Sequence, residues 1–320
     1  MRAIQIVELS GPESALQLSD IPEPVGEGVV IDVRAAGVSF PEVLQTRGAY
    51  QLKPELPFVP GSEVGGIVRS APEGASVKPG DRVAGFCMLG GFAEVTLAQP
   101  HFTFKLPDRL DFAQGAALVL NYHTAYFSLV TRGRLHEGET VLVHGAAGGV
   151  GTASLQVAKG LGARTIAVVS SDAKEQVARD AGADEVVRSD GPWKDEVKAL
   201  GGADIVLDPV GGDRFTDSLR SLGEGGRLVV VGFTGGSIPE VRVNRLLLNN
   251  TEVVGAGWGA FVMGKPNINE EIGTAINELV DAGFVRPIVG ARFAFDGAAD
   301  ALELIDGRGA TGKVVLDVRD

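Results

Sequence analysis

The chain reads as an α/β protein built from a doubly wound parallel sheet of six strands and a second, barrel-like β domain. Three observations predict this. From residue 140 onward, short apolar runs alternate regularly with helical segments. The first 110 residues instead carry brief apolar runs punctuated by Pro and Gly. At 320 residues the chain has room for two domains, given roughly 100–200 residues for each. The expected division puts residues 1–122 and 261–320 in the barrel domain and 123–260 in the doubly wound one.

In the first part the apolar runs are Val29–Val33, Gly65–Val68, Arg82–Phe86 and Phe92–Leu97, with ten prolines from Pro22 to Pro107 spaced around them. Phe112–Val130 is apolar, almost free of breakers, and expected to be helical. Six strands follow: Thr140–His144, Arg164–Val169, Asp184–Val187, Ala203–Asp208, Arg227–Val231 and Thr251–Gly255. Helices are expected between them at Val150–Gly160, Asp172–Ala181, Lys194–Leu200, Arg214–Leu222 and Asn244–Asn249. The tail adds a helix over Glu270–Ala282, a strand over Ala291–Phe295, a helix over Gly297–Ile305 and a last strand over Gly312–Val318. A six-stranded sheet is already complete, so that last strand should rejoin the first domain.

Composition narrows the function classes. The formal charge of -12 disfavours phosphate backbones and anionic membrane surfaces, so no nucleic acid or membrane partner is expected. A single cysteine, Cys87, excludes an intrachain disulfide and a four-thiolate zinc site. No apolar run reaches 18 residues and the start Met1-Arg2-Ala3-Ile4-Gln5 is strand-like, so a cytoplasmic setting is expected.

The most informative stretch is Val141-Leu142-Val143-His144-Gly145-Ala146-Ala147-Gly148-Gly149-Val150-Gly151. A strand runs into a Gly-rich turn and a helix opens at once. Backbone N–H groups and small residues there suit a dinucleotide pyrophosphate at a helix N-terminus. The glycines at 145, 148, 149 and 151 depart from G-x-G-x-x-G, so an ordinary tight turn is the competing reading. The position at the first strand–helix junction favours the cofactor. The second strand ends Ala167-Val168-Val169-Ser170-Ser171 without the carboxylate that would bind the ribose hydroxyl of NAD. Asp172 suits a helix N-cap, and Lys174 and Arg188 supply positive charge, so NADPH is the expected cofactor.

Together these residues resemble the medium-chain dehydrogenase/reductase superfamily, in its zinc-independent, zeta-crystallin-like quinone oxidoreductase branch. The resemblance rests on Ala146–Gly151, Gly61-Ser62-Glu63-Val64-Gly65-Gly66, Asp208-Pro209-Val210-Gly211-Gly212, Pro79–Ala84 and Gly312-Lys313-Val314-Val315. It implies a Rossmann-type sheet plus a GroES-like barrel. Where the superfamily's alcohol dehydrogenases carry a zinc-binding His, this chain has Ser62, and the expected Cys after Ala35-Ala36-Gly37 is missing. His101, His123, His136 and His144 show no paired spacing, so no metal is expected.

The same branch usually has Asn where Ser39 stands, within Gly37-Val38-Ser39-Phe40-Pro41-Glu42. The resemblance puts Ser39, Phe40 and Tyr50 at the catalytic mouth. It puts Thr124, Val210, Phe233 and Thr234 against the cofactor, beside Ala147, Gly148, Gly149, Val150, Ser170, Ser171, Lys174 and Arg188 from the turn and strand tip read above. Helix packing competes at Thr124, a tight turn at Phe233 and Thr234, and a solvated surface role at Lys174 and Arg188, and Trp258 is either part of an apolar wall or core.

Hydride transfer without a metal favours an acceptor already activated by conjugation. An NADPH-dependent reductase of quinones or related enones is therefore expected. A reductase of enoyl-thioester or 2-alkenal C=C bonds is the alternative enzyme, and an NADPH-binding sensor without turnover the alternative class. The sixth strand should form a sheet edge, through which a homodimer is expected.

Overall fold

The computed structural model describes residues 1–319. They divide into two compact units: Met1–Leu120, Pro266–Gly273 and the chain from Pro287 onward form one; Asn121–Lys265 and Thr274–Arg286 form the other.

The first unit is built on a seven-stranded sheet and a separate antiparallel pair, Arg2–Ile6 with Leu16–Asp20. Its central strand, Val29–Val38, pairs with Glu63–Ser70, Val95–Ala98 and Lys313–Asp317, all antiparallel. The last of these joins residues near the chain's end to the first unit, Val315 lying opposite Gly37. Along the first half of Val29–Val38 burial alternates, with Val29, Ile31 and Val33 inward and Val30, Asp32 and Arg34 partly exposed. That period of two is the mark of a sheet with one face on a core. The second half, Ala35–Val38, is buried on both faces, which explains its small side chains. A Cβ on Gly37 would stand 2.3 Å from the Ala116 carbonyl oxygen and 2.7 Å from Cε of Lys313.

The second unit is the doubly wound domain. Its six parallel strands, Thr140–His144, Arg164–Val169, Glu185–Arg188, Ala203–Asp208, Leu222–Val230 and Glu252–Gly255, take the spatial order 3-2-1-4-5-6. All pairs are parallel, as β-α-β crossovers require. The inner strands are covered on both faces, and Leu142, Ile166, Val206 and Leu228 are all inaccessible to solvent. The order reverses between the first and fourth strands, where open α/β sheets bind ligands.

Most elements lie within two residues of expectation, with five larger departures, two of them in the barrel unit, where Val29–Val33 runs on to Val38 and Phe92–Leu97 narrows to Val95–Ala98. The Phe112–Val130 segment is not one α-helix. A short helix at Phe112–Gly115 breaks, and π-helical turns at Val119–His123 and Phe127–Arg132 then flank Thr124–Tyr126. The break leaves the Leu120 N–H outside a regular ladder, and it donates to Oε2 of the buried Glu63 at 2.9 Å. The fifth strand begins at Leu222, because Ala203 already pairs with Leu222 before a register shift. The helix expected from Glu270 starts at Pro266, whose ring suits a first helical position.

Candidate active site

In the second unit, the first strand delivers Gly145 at φ +57, a left-handed conformation that glycine adopts without strain. The Gly148 N–H closes the turn onto the Gly145 carbonyl at 2.9 Å, and a twelve-residue helix, Gly149–Gly160, follows. A Cβ on Gly151 would lie 2.2 Å from the Gly145 carbonyl oxygen and 2.7 Å from Cα of Ala146, so helix and turn touch backbone to backbone. One on Gly149 would meet Nδ2 of Asn121 at 2.6 Å. Ala147, Gly148, Gly149 and Val150 thus sit together at a helix N-terminus. The first-turn N–H groups there have no intrahelical partner and the helix dipole is positive. This cradle fits an anionic pyrophosphate.

Two further loops meet it. Asp208, at the end of the fourth strand, accepts the N–H groups of Val210 and Gly211 with Oδ1, both at 2.9 Å. This turn holds Val210 so that its Cγ2 is 3.3 Å from the position of a Gly145 Cβ. After the fifth strand, Thr234 donates both its N–H and its hydroxyl to the Pro209 carbonyl at 3.1 Å, and Gly235 donates to Val210 at 2.8 Å. Phe233 next to them is 38% exposed, open to a ligand rather than packed into core. Thr124 is almost buried, beside the π-helical turns. Trp258 is core of this unit, 2% exposed and edge-on to His123 at 5.5 Å between ring centroids.

At the tip of the second strand, Ser170, Ser171, Lys174 and Arg188 come together. Nζ of Lys174 lies 3.4 Å from the Ser170 hydroxyl, and Nη2 of Arg188 donates to the Ser170 carbonyl at 3.2 Å. The helix is capped by Ser171, whose hydroxyl accepts the Lys174 N–H, and not by Asp172 as expected. Asp172 is the first helical residue, exposed and paired with Arg188. Two cations and two hydroxyls around a strand tip suit a 2′-phosphate.

In the first unit, Ser39 and Phe40 start the short helix Phe40–Gln45, and a buried polar cluster lies against them. Nζ of Lys313 donates to Oγ of Ser39 at 2.5 Å and forms an ion pair with Oε1 of Glu63. Glu42 accepts the Ser62 hydroxyl at 2.7 Å with Oε1 and the Ser39 N–H at 2.9 Å with Oε2. Lys313 and Glu63 are 3% and 0% exposed at their side chains. Burial pushes both carboxyls above their ordinary range, against the opposing pull of Lys313. Phe40 packs partly buried against the core. Tyr50 is also half-buried; desolvation first, and the Glu42 charge second, push its phenol up, so it stays protonated. Burial pushes the Cys87 thiol up to about 12, which makes it an inert packing group.

Ser62 stands where the superfamily's alcohol dehydrogenases carry a zinc-binding His, and its hydroxyl, like that of Ser39, is engaged by this cluster. Among the described residues no three His, Cys, Asp or Glu side chains gather as a metal site would need. Ser39, Phe40 and Tyr50 are expected from the sequence, which gives no chemical role to Glu42, Glu63 or Lys313. Ser39 and Lys313 are 274 residues apart, so no local pattern signals the pair.

A dinucleotide cradle on a 3-2-1-4-5-6 sheet, with a barrel unit carrying a buried polar cluster, defines the class of medium-chain dehydrogenase/reductases. The family profile described as "Zinc-binding dehydrogenase" matches residues 149–279, and "Alcohol dehydrogenase GroES-like domain" matches 26–108. The chain is 37% identical to quinone oxidoreductase-like protein 2 of Mus musculus, over 99% of this chain and 92% of that protein. It is 35% identical to the quinone oxidoreductase of Homo sapiens, over 99% and 97%. The solved quinone oxidoreductase of Thermus thermophilus, determined also as its NADPH complex, superposes with a TM-score of 0.85 at 34% identity, covering 99% and 100%. The chain belongs to the quinone oxidoreductase branch of the medium-chain dehydrogenase/reductase superfamily. Its barrel is GroES-like and its parallel sheet is of the Rossmann type.

Proposed function

We propose that this protein is an NADPH-dependent oxidoreductase that reduces quinones or similarly conjugated carbonyls without a metal. One observation carries the reading: the position that would hold a zinc-binding His is a hydroxyl, Ser62, already bonded to Glu42. Hydroxyls are poor zinc ligands. The acceptor must therefore be electron-poor by its own conjugation, which describes a quinone better than a simple ketone.

NADPH supplies a hydride when bound. The chain's residues hold and orient it: Ala147, Gly148, Gly149 and Val150 receive the pyrophosphate, Ser170, Ser171, Lys174 and Arg188 the 2′-phosphate. Val210, Phe233, Thr234 and Thr124 line its nicotinamide half, and Ser39, Phe40 and Tyr50 receive the acceptor. At equal concentration, an aromatic quinone is expected to turn over faster than a 2-alkenal or crotonyl-CoA. Exclusive turnover of the thioester would replace this reading with that of an enoyl reductase.

Lys174→Ala separates the cofactors. One charge-assisted contact contributes about 1.5–3 kcal/mol, so the Kd for NADPH should rise roughly ten- to a hundredfold. The Kd for NADH should stay unchanged in fluorescence titration; equal losses for both would remove Lys174 from the 2′-phosphate site.

We also propose a homodimer through the edge strand Glu252–Gly255, which among the described residues pairs on one side only, with Leu222–Val230. Beside it in sequence, Ile238, Val243, Leu247 and Leu248 are each at least 70% exposed, an apolar group that a second copy would cover. The double variant Leu247→Glu, Leu248→Glu should be monomeric by light scattering where the native chain is dimeric. A native monomer at micromolar concentration would contradict the proposal. No helix among the described residues is long and apolar enough to cross a membrane.

A further inference from the structure

A buried ion pair adds little net stability over apolar residues of the same volume. Stability alone therefore does not account for Lys313 placed among Glu42, Glu63, Ser39 and Ser62. The arrangement is directional. Glu63 holds the Lys313 ammonium, and that ammonium donates to Oγ of Ser39 at 2.5 Å. Lys313 and Glu63 are sealed from solvent, whereas Ser39 is partly exposed, the member of the chain that a ligand can touch. Oγ accepts from a cation, and its own hydrogen has no acceptor among the described residues, so the O–H is polarised and free to donate outward.

Building on the quinone-reductase reading, we propose that Ser39 is the proton donor to the reduced acceptor and that Lys313, positioned by Glu63, reloads it. Hydride delivery leaves the quinone as a hydroquinone monoanion. The Ser39 O–H bond breaks and its proton forms the new O–H bond on the anionic oxygen. The electron pair left on Oγ takes a proton from Nζ of Lys313, whose N–H bond breaks. Lys313 is left neutral and recovers its proton from water through Ser39 once the product has gone. One hydride and one proton are consumed per quinone, which is reduced by two electrons while NADPH is oxidised to NADP+. Glu42 fixes the geometry by accepting the Ser39 N–H, which anchors the serine at the start of its helix. Tyr50, protonated and near Glu42, is the competing donor.

The test uses the full chain with NADPH and an aromatic quinone, comparing native protein with Ser39→Ala, Ser39→Thr and Tyr50→Phe. Losing a general acid slows turnover by about 10²–10⁴-fold. Ser39→Ala should show a kcat loss of at least the lower end, with NADPH affinity unchanged, and Ser39→Thr should restore it. An activity-independent readout is the titration of 4-nitrophenol, a chromogenic mimic of the hydroquinone anion, bound with NADP+. Its phenolate absorbance should appear at lower pH on the native protein than in water, and Ser39→Ala should abolish that shift. Native-like turnover by Ser39→Ala would overturn the relay and leave the quinone reading standing. So would loss in Tyr50→Phe alone, or a 4-nitrophenol titration identical in native protein and Ser39→Ala. A native protein that oxidises no NADPH with the quinone would overturn the functional reading and the proton assignment together.

Discussion

A Gly151→Ala variant is expected to lose NADPH binding at concentrations that saturate the native protein, while keeping its overall fold. The added methyl would sit 2.2 Å from the Gly145 carbonyl oxygen and 2.7 Å from both Cα and the carbonyl carbon of Ala146. All three are backbone atoms, so no flexible side chain can swing away. Either the turn opens or the helix start shifts, and either movement re-aims the N–H groups of the helix's first turn. Each charge-assisted contact to the pyrophosphate contributes about 1.5–3 kcal/mol, so losing two weakens NADPH by more than about a hundredfold. Overpacking itself costs about 1–3 kcal/mol of stability, which a sheet-based domain with this much buried core can absorb. Isothermal titration calorimetry beside a thermal melt separates the two effects. A Kd for NADPH close to the native value would show that the phosphates do not rest on this turn.

Lys313→Met is expected to destabilise the barrel unit strongly. The methionine has the length to fill the space, but Glu63 keeps its full burial and loses its ion-pair partner. Removing one partner from a buried pair costs about 3–5 kcal/mol when the other charge stays unpaired. That cost should depend on pH, with a definite sign. Burial already raises Glu63 above its ordinary value of 4.5, and loss of Lys313 raises it further. A carboxyl whose folded pKa exceeds its unfolded one binds more protons when folded, so stability is lost as pH rises through that window. Glu42, also raised by burial, acts in the same direction. Denaturation of Lys313→Met should therefore show the larger deficit against the native protein at pH 8 and the smaller at pH 5. A deficit equal at both would mean that Glu63 does not carry the charge.

How much of this was open to a reader of the sequence follows from distance along the chain. The glycine turn was legible because Gly145 to Gly151 lie on one strand–turn–helix, where spacing and small size report geometry directly. The Ser170–Lys174–Arg188 grouping was legible for the same reason, since adjacent parallel strands end side by side. The choice between Ser171 and Asp172 as cap was not, because either residue type caps a helix and only the chain's path decides. Apolar periodicity across Phe112–Val130 indicated a helix but cannot register the extra residues of π-helical turns. The relay was least legible. Glu63 and Lys313 are 250 residues apart and meet only because Lys313–Asp317 pairs with the central barrel strand. In the sequence, Lys313 looks like one more charged residue beside a glycine, and Ser39 like a shortened Asn.

Metal-free hydride transfer from NADPH to a conjugated acceptor is the chemistry on which every role assigned above depends. Purified protein dialysed against EDTA and 1,10-phenanthroline should oxidise NADPH with an aromatic quinone at the rate of untreated protein, and added zinc should change nothing. Turnover that disappears on chelation and returns with zinc would contradict it.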